Sequence, residues 1–505
     1  MRLSELCQRV HGMSCVHGGD REVIAVTDDS RAAGPGMIFV ARRGAALDGI
    51  AFVRDALARG AAGVAVPESD AQRVLAFIEA GTALVTYDAS RAALVGELAH
   101  EAAGRPAARL RVVGVTGTNG KTTVTYLLRH MLGASGLKCG LAGTVVTDDG
   151  RGERPSALTT PSATQLADLL ARMVRHGCAA AAMEVSSHAL DQSRVAGIDF
   201  SCAVFTNLTG DHLDYHGSME AYASAKSQLF GSLGRDAVAI VNVDDPAYAR
   251  MVRDCRSRVM RCSASDASAD CMVRVRRMRP DGMVCAMHGP WGVLDVDLPL
   301  AGRHNAMNAL QALAVASALG VPAAPLERAL STCTAPPGRL EPVSAPDDGM
   351  AVLVDYAHTD DALLNVLRAV RQTLEPGGRI ITVFGCGGDR DRTKRPRMAA
   401  VACAHSDVVI VTSDNPRTED PAAIVADIVA GVPAKGGAEV ESVLDRADAI
   451  ARAVQRAKPG DAVIVAGKGH EDYQIVGTER RPFDDRVVAR AALAARRGAL
   501  VSASA

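Results

Sequence analysis

The segment that most constrains this chain is Leu110-Arg111-Val112-Val113-Gly114-Val115-Thr116-Gly117-Thr118-Asn119-Gly120-Lys121-Thr122-Thr123. Its first half is an apolar, β-branched run, the pattern of a strand buried on both faces. Its second half is a glycine-rich turn that leads into a helical pattern from Thr122 to Leu132. Glycines let backbone N–H groups curl around phosphate oxygens, and a helix N-terminus adds a favourable dipole. In such a loop Lys121 reaches the β- and γ-phosphates and the Thr122 hydroxyl binds Mg²⁺, with Gly117, Thr118, Asn119, Gly120 and Thr123 completing the cradle. The usual P-loop spacing wants a glycine where Val115 stands; the glycines here fall at 114, 117 and 120. By itself this variant loop specifies a nucleotide triphosphate site and no more.

The rest of the chain alternates in the same way, which predicts an α/β fold. At 505 residues it exceeds what one core usually organises, so roughly three domains are expected. Residues 1–107 hold short apolar runs, Met37 to Val40 and Gly63 to Val66, between alanine-rich helical patterns. Residues 108–335 open on the phosphate loop, and Ala180 to Val185, Ala203 to Phe205 and Val238 to Asn242 read as further strands. Strand-like and helix-like segments are expected to alternate there to about residue 330. Pro336-Pro337-Gly338 breaks the chain before residues 336–505. In that last part Ala351 to Val354, Arg379 to Phe384, Val408 to Thr412 and Ala462 to Ala466 read as parallel strands of an open, Rossmann-like sheet. Ligands bind such sheets at the strands' C-terminal ends. The alanine-rich tail from Ala491 is expected to fray.

Composition narrows the function. A formal net charge of -1 and 3% aromatics leave no basic field or stacking surface for nucleic acid, so any anion needs a local site. No run of ~18 apolar residues suggests a membrane span, and Met1-Arg2-Leu3-Ser4-Glu5-Leu6 lacks a signal-peptide core. The twelve cysteines include no Cys-x-x-Cys pair and sit singly in apolar stretches, as at Cys178, Cys202, Cys285 and Cys403. They read as buried thiols of a reducing compartment, and a cytoplasmic location follows.

Four further segments follow the phosphate loop in order: Met183-Glu184-Val185-Ser186-Ser187-His188, Thr206 to His216, Gly302-Arg303-His304-Asn305-Ala306-Met307-Asn308, and Asp355-Tyr356-Ala357-His358. With Asp29-Ser30-Arg31 near the N-terminus, this ordered set resembles the Mur ligases across nearly the whole chain; the phosphate loop is also similar to that of folylpolyglutamate synthetases. The resemblance implies a three-domain Mur ligase architecture with a central P-loop-type ATPase domain and a Rossmann-like C-terminal domain. It also implies ATP as co-substrate and Mg²⁺ as cofactor. Activating a carboxylate with ATP brings two anions together, and metal ions must screen them.

In that family the positions matching Thr122, Glu184 and His212 serve the metal. The lysine matching Lys226 carries a carbamate, which turns a cation into an oxygen ligand; Lys121, Lys226 and His212 are thus the catalytic set. Taken alone, Lys226 would be a solvent-facing lysine of a helix. A zinc site at His212-x-x-x-His216 is the weaker alternative, since no third ligand recurs at helical spacing. The resemblance places Asn305, Arg339 and Asp355 against adenine, phosphate and ribose, with His358 near the same nucleotide. It places Asp28 and Ser30 near a uridine, and Thr159, Thr160, Ser186, Gln192 and Arg194 around a muramoyl dipeptide. Leu158 and Ala45 depart from relatives that have Asn and His there.

Gly387-Gly388-Asp389-Arg390 and Ser413-Asp414-Asn415-Pro416-Arg417 resemble the segments by which diaminopimelate-adding members hold their amino acid. meso-Diaminopimelate differs from lysine by a second carboxylate, which an arginine grips bidentately. Arg417 supplies that arginine and Arg390 a second cation, while Gly467 and Glu471 of Gly467-Lys468-Gly469-His470-Glu471 would hold the reacting end. The expected partners are ATP, meso-diaminopimelate and UDP-N-acetylmuramoyl-L-alanyl-D-glutamate, joined through an acyl phosphate by a monomer. A lysine-adding or folylpolyglutamate-type ligase shares the scaffold. A regulatory NTPase would explain only the phosphate loop.

Overall fold

The computed structural model describes residues 1–42, 48–79, 81–279, 282–434 and 437–504. Three sheets follow one another along the chain, and helices cover their faces. The first has five strands in the order Met13–His17, Ala83–Tyr87, Gly63–Pro67, Met37–Val40, Ala25–Thr27. All are parallel except Met13–His17, which closes one edge.

The second sheet has eleven strands, with the phosphate-loop strand Arg111–Thr116 between Cys202–Phe205 and Ala180–Glu184. A buried strand needs apolar residues on both faces, and Arg111–Thr116 is buried from Val112 onward. Two packed cores lie on opposite sides of this sheet. One gathers Val113, Val115 and the phosphate-loop helix (Lys121–Ala134) around Leu127 and Leu128. The other gathers Val112, Met183 and Phe205. This rigid sheet points the Gly117–Gly120 turn at the strands' C-terminal edge.

The expected alternation fails beyond residue 257. Arg258–Ser263, Cys271–Arg279, Gly282–Gly289 and Gly292–Leu298 are consecutive strands, the last two joined as an antiparallel hairpin. The physical signal was a change of period. Gly292–Leu298 alternates buried and exposed residues at every second position, which suits a strand with one solvated face.

The third sheet has six strands in the order Glu341–Pro342, Ala351–Asp355, Ala462–Ala466, Ile380–Phe384, Val408–Val411, Glu439–Ser442. All pair in parallel except the short first one. A separate hairpin, Tyr473–Val476 with Glu479–Pro482, follows the last parallel strand. The tail, expected to fray from Ala491, is helical over Asp485–Ser504. The cysteine expectation also needs correction: Cys15 is exposed, and Cys7 and Cys255 are half-buried, while Cys178, Cys202, Cys285 and Cys403 are buried. Ala45 lies outside the described residues.

Candidate active site

The phosphate loop is braced from the neighbouring strand. Asn119 N–H donates to Asn207 Oδ1 at 3.0 Å, and Asn207 Nδ2 returns a bond to the Asn119 carbonyl at 3.1 Å. Thr206 Oγ1 donates to the same carbonyl at 2.6 Å, and Thr118 N–H to the Asn207 carbonyl at 2.8 Å. Gly117 has φ 147°, and a Cβ there would lie 1.9 Å from Thr206 Oγ1, so only glycine fits. Gly120, at φ 87°, caps the helix whose first residues are Lys121, Thr122 and Thr123.

Two lysines converge on this loop. Lys121 Nζ donates to the Gly117 and Thr118 carbonyls at 2.9 and 2.8 Å. Lys226, on the helix Met219–Gly231, is buried and donates to the same Gly117 carbonyl at 2.9 Å. The Tyr222 ring lies one helical turn away, 4.4 Å from Nζ, and its hydroxyl is 3.1 Å from Thr118 Oγ1. Burial, then repulsion by Lys121, push the Lys226 ammonium well below the ordinary lysine range. Carbamate formation, which the family resemblance implies at this lysine, starts from a neutral amine.

Glu184 ends the strand Ala180–Glu184 and is fully buried. Thr144 donates to its two oxygens from N–H at 2.8 Å and from Oγ1 at 3.0 Å. Carboxylate lone pairs remain on Glu184, and the buried Thr122 hydroxyl is a second hard oxygen donor of the kind Mg²⁺ takes. His212, at φ 54°, heads the short helix Leu213–His216 and packs edge-on against His188 at 4.7 Å. Among the described residues, no three His, Cys, Asp or Glu side chains gather as a metal cluster.

Thr144 Oγ1 also lies 3.1 Å from Thr159 Oγ1, whose hydroxyl can donate to it, linking this carboxylate to a second network. There Thr160 Oγ1 donates to the Glu184 carbonyl, and Ser186 N–H donates to Thr160 Oγ1. Arg194 Nη1 donates to the Thr160 carbonyl at 2.9 Å, and its Nε and Nη2 hold Gln192 Oε1. Asp28 joins from the first sheet, accepting from Thr164 Oγ1 at 2.7 Å. Ser30 starts a short helical turn capped by Asp29. Leu158 is exposed beside the Thr pair. Thr159, Thr160, Ser186, Gln192 and Arg194 are therefore joined to Glu184 in one hydrogen-bond network.

The third sheet reaches the phosphate loop through Arg339 and Asp361. Arg339 Nη2 lies 3.4 Å from Thr122 Oγ1, its guanidinium covers Tyr356, and its buried Nε has no partner among the described residues. Asn119 Nδ2 donates to Asp361 Oδ2 at 3.3 Å. Asp355 accepts from the N–H groups of Leu340 and Ala357, and burial raises its carboxyl above the usual range. Asn305 bonds Ala301 and Asn308 while keeping one N–H and one lone pair. His358 Nδ1 is 2.9 Å from the Tyr356 carbonyl.

Around the C-terminal strand ends, the predicted residues form a second cluster. Asn415 Nδ2 donates to Glu471 Oε2 at 2.8 Å, and the buried Lys468 ammonium donates to Asn415 Oδ1 at 3.0 Å. Asp414 packs against Gly467, where a Cβ would sit 2.6 Å from Asp414 Oδ2. Gly388 lies under Pro416, leaving no room for a side chain, and Arg417 Nη1 donates to the Gly388 carbonyl at 2.7 Å. Arg390 is exposed at the rim.

The sequence did not point to the hairpin Tyr473–Pro482, which laces the Asn-Pro-Arg segment. Ile475 N–H donates to Asn415 Oδ1, Arg417 N–H to the Ile475 carbonyl, and Gln474 Nε2 to the Asp414 carbonyl. Alternating residues around Gly477-Thr478 were its signal. Thr144, Tyr222 and the buried pair Arg446–Asp485 were also missed, and nothing local marks them.

A sheet whose central parallel strands aim a phosphate loop toward a second α/β sheet has the layout of an ATP-using enzyme, and comparison with known proteins gives its family. The model of the Mur ligase middle domain matches residues 115–316, and that of the Mur ligase, glutamate ligase domain, matches residues 338–469. The chain belongs to the Mur ligase family. It is 48% identical to the UDP-N-acetylmuramoyl-L-alanyl-D-glutamate--2,6-diaminopimelate ligase of Synechococcus sp. (strain WH7803), covering 93% of this chain and 94% of that one. It is 44% identical to the enzyme of the same name from Synechococcus elongatus, covering 95% and 96%. A solved structure of such a ligase superposes with a TM-score of 0.67 at 34% identity, covering 94% of this chain and 95% of that chain.

Proposed function

We propose that this chain is an ATP-dependent amide ligase that adds meso-diaminopimelate to UDP-N-acetylmuramoyl-L-alanyl-D-glutamate, a step of peptidoglycan precursor synthesis. The observation that carries this is the Asp414–Arg417 segment. It presents Arg417 beside the Gly387-Gly388 turn and ties Asn415 to Glu471, in a chain whose full-length relatives bear that ligase name.

The D-glutamyl side-chain carboxylate attacks the γ-phosphorus of ATP, the bond to the bridging oxygen breaks, and ADP leaves. Lys121, drawn off the Gly117 and Thr118 carbonyls, disperses the charge that develops on the transferring phosphoryl group. Thr122, Glu184, His212 and carbamylated Lys226 would hold Mg²⁺, which lowers the repulsion between the two anions. Arg339 adds a second cation at the phosphate loop. The amine of diaminopimelate then attacks the acyl phosphate, and the tetrahedral intermediate expels phosphate. Glu471 and Gly467 orient that amine, while Arg417 and Arg390 grip the distal carboxylate that lysine lacks. The chain is proposed to act in the cytoplasm, and no described helix is long and apolar enough to cross a membrane.

Mass spectrometry of the UDP-linked product after incubation with ATP, Mg²⁺ and diaminopimelate tests this. A gain of one diaminopimelate less one water is expected, and an unchanged dipeptide precursor contradicts the proposal.

A further inference from the structure

Two loops hold the amino acid in the function proposed above, and the inference drawn here rests on that function. One begins at Asp414 after the strand Val408–Val411; the other begins at Gly467 after Ala462–Ala466. These strands are not neighbours, because Ile380–Phe384 runs between them. Their ends lie about two strand spacings apart, roughly 9–10 Å, and no backbone ladder joins them directly.

Asn415, Lys468 and Glu471 tie the two loops at the ligand end; at the loop roots a further side chain spans the gap. Arg446, in the first turn of the helix Arg446–Arg456, donates from Nη1 to the Ser413 carbonyl at 3.3 Å. Its Nη2 donates to the Ala466 carbonyl at 3.0 Å. Ser413 and Ala466 are the residues immediately before Asp414 and Gly467. Asp485, at the start of the last helix, holds the guanidinium bidentately at 2.7 Å to both Nε and Nη2. The side chains of Arg446 and Asp485 are 1% and 0% exposed, so neither serves solvent. A buried arginine with one carboxylate and two loop-root carbonyls has a single low-energy position, because its fork is planar and rigid.

We propose that Arg446, locked by Asp485, is a positioning residue that fixes the separation of the two loops. It would thereby match the site to the length of the amino acid between its reacting amine and its distal carboxylate. Neither side chain touches the substrate. Lysine in place of Arg446 keeps the charge but loses the planar fork that bonds both carbonyls and the carboxylate together.

The test measures kcat and KM for all three substrates in Arg446→Lys and Asp485→Asn, with thermal melting as a folding check. The expected result is a rise of at least 10-fold in KM for diaminopimelate. KM for ATP and for the UDP-linked dipeptide should stay within 2-fold, and Asp485→Glu should recover part of the loss. A folded variant with unchanged KM for the amino acid, or with all three constants raised together, overturns the proposal. If Arg446→Lys fails to fold, the same split is read from Asp485→Glu alone. Should the wild-type chain use a different amino acid, the function proposed above fails, while the split measured for that amino acid still decides the role of Arg446.

Discussion

Gly338 sits in the Pro336-Pro337-Gly338 break at φ +65°, a left-handed conformation. A Cβ there would lie 2.2 Å from both the Gly469 carbonyl carbon and the His470 nitrogen, and 2.5 Å from Gly469 Cα. Those are backbone atoms and cannot rotate away, whereas an ordinary contact is about 3.5–4.0 Å. Gly338→Ala therefore faces two costs. The left-handed conformation costs roughly 1–2 kcal/mol for a residue with a Cβ, and the overpacking roughly 1–3 kcal/mol more. Gly377 separates them: its φ is +93°, and no atom of the described residues lies within 4 Å of a Cβ there. Gly377→Ala should show only the first cost. Since Gly469 belongs to the Gly467–Glu471 loop, Gly338→Ala should also raise KM for the amino acid, which Gly377→Ala should not. Urea unfolding and steady-state kinetics of the two variants make the comparison. Equal stability losses with equal KM values would refute the close approach between the break and the loop.

Other outcomes follow from the same geometry. Arg417→Ala removes a charge-assisted grip worth about 1.5–3 kcal/mol and should lower kcat/KM for diaminopimelate about 10–150-fold; its KM for ATP should hold. Glu184→Gln should raise the Mg²⁺ concentration giving half-maximal rate by at least about 10-fold, read from a metal titration after chelation. Asp461 is buried, which raises its carboxyl, but bonds from Arg379 and two backbone N–H groups outweigh this and hold it below the usual range. Its folded value lies below the unfolded one, so its stabilisation is present above about pH 4 and is lost as pH falls through the folded value. Asp461→Asn should therefore destabilise at pH 7, and the difference in unfolding free energy should shrink toward pH 2.

Much of the site was legible because phosphate and carboxylate chemistry uses few residue types at fixed spacing. Gly117, Lys121 and Thr122 stand on a strand–turn–helix whose apolar run and glycines have one physical use. The parallel strands of the third sheet were equally plain, since burial on both faces leaves unbroken apolar runs such as Val408–Val411. Arg258 to Leu298 departs from the expected alternation because its strands mix arginine, methionine and cysteine, and only Gly292–Leu298 shows a plain period of two. Arg446 and Asp485 were invisible for a different reason. A charged residue reads as exposed until a partner 39 positions away is known to bury it. Thr144 likewise gains meaning only when the fold brings Glu184 against it.

The central claim is tested most directly by phosphate release from ATP with Mg²⁺ and UDP-N-acetylmuramoyl-L-alanyl-D-glutamate, comparing meso-diaminopimelate, L-lysine and no amino acid. Release that depends on diaminopimelate is the predicted result. Release as fast with lysine would remove the role given to Arg417, and release indifferent to any amino acid would contradict the ligase itself.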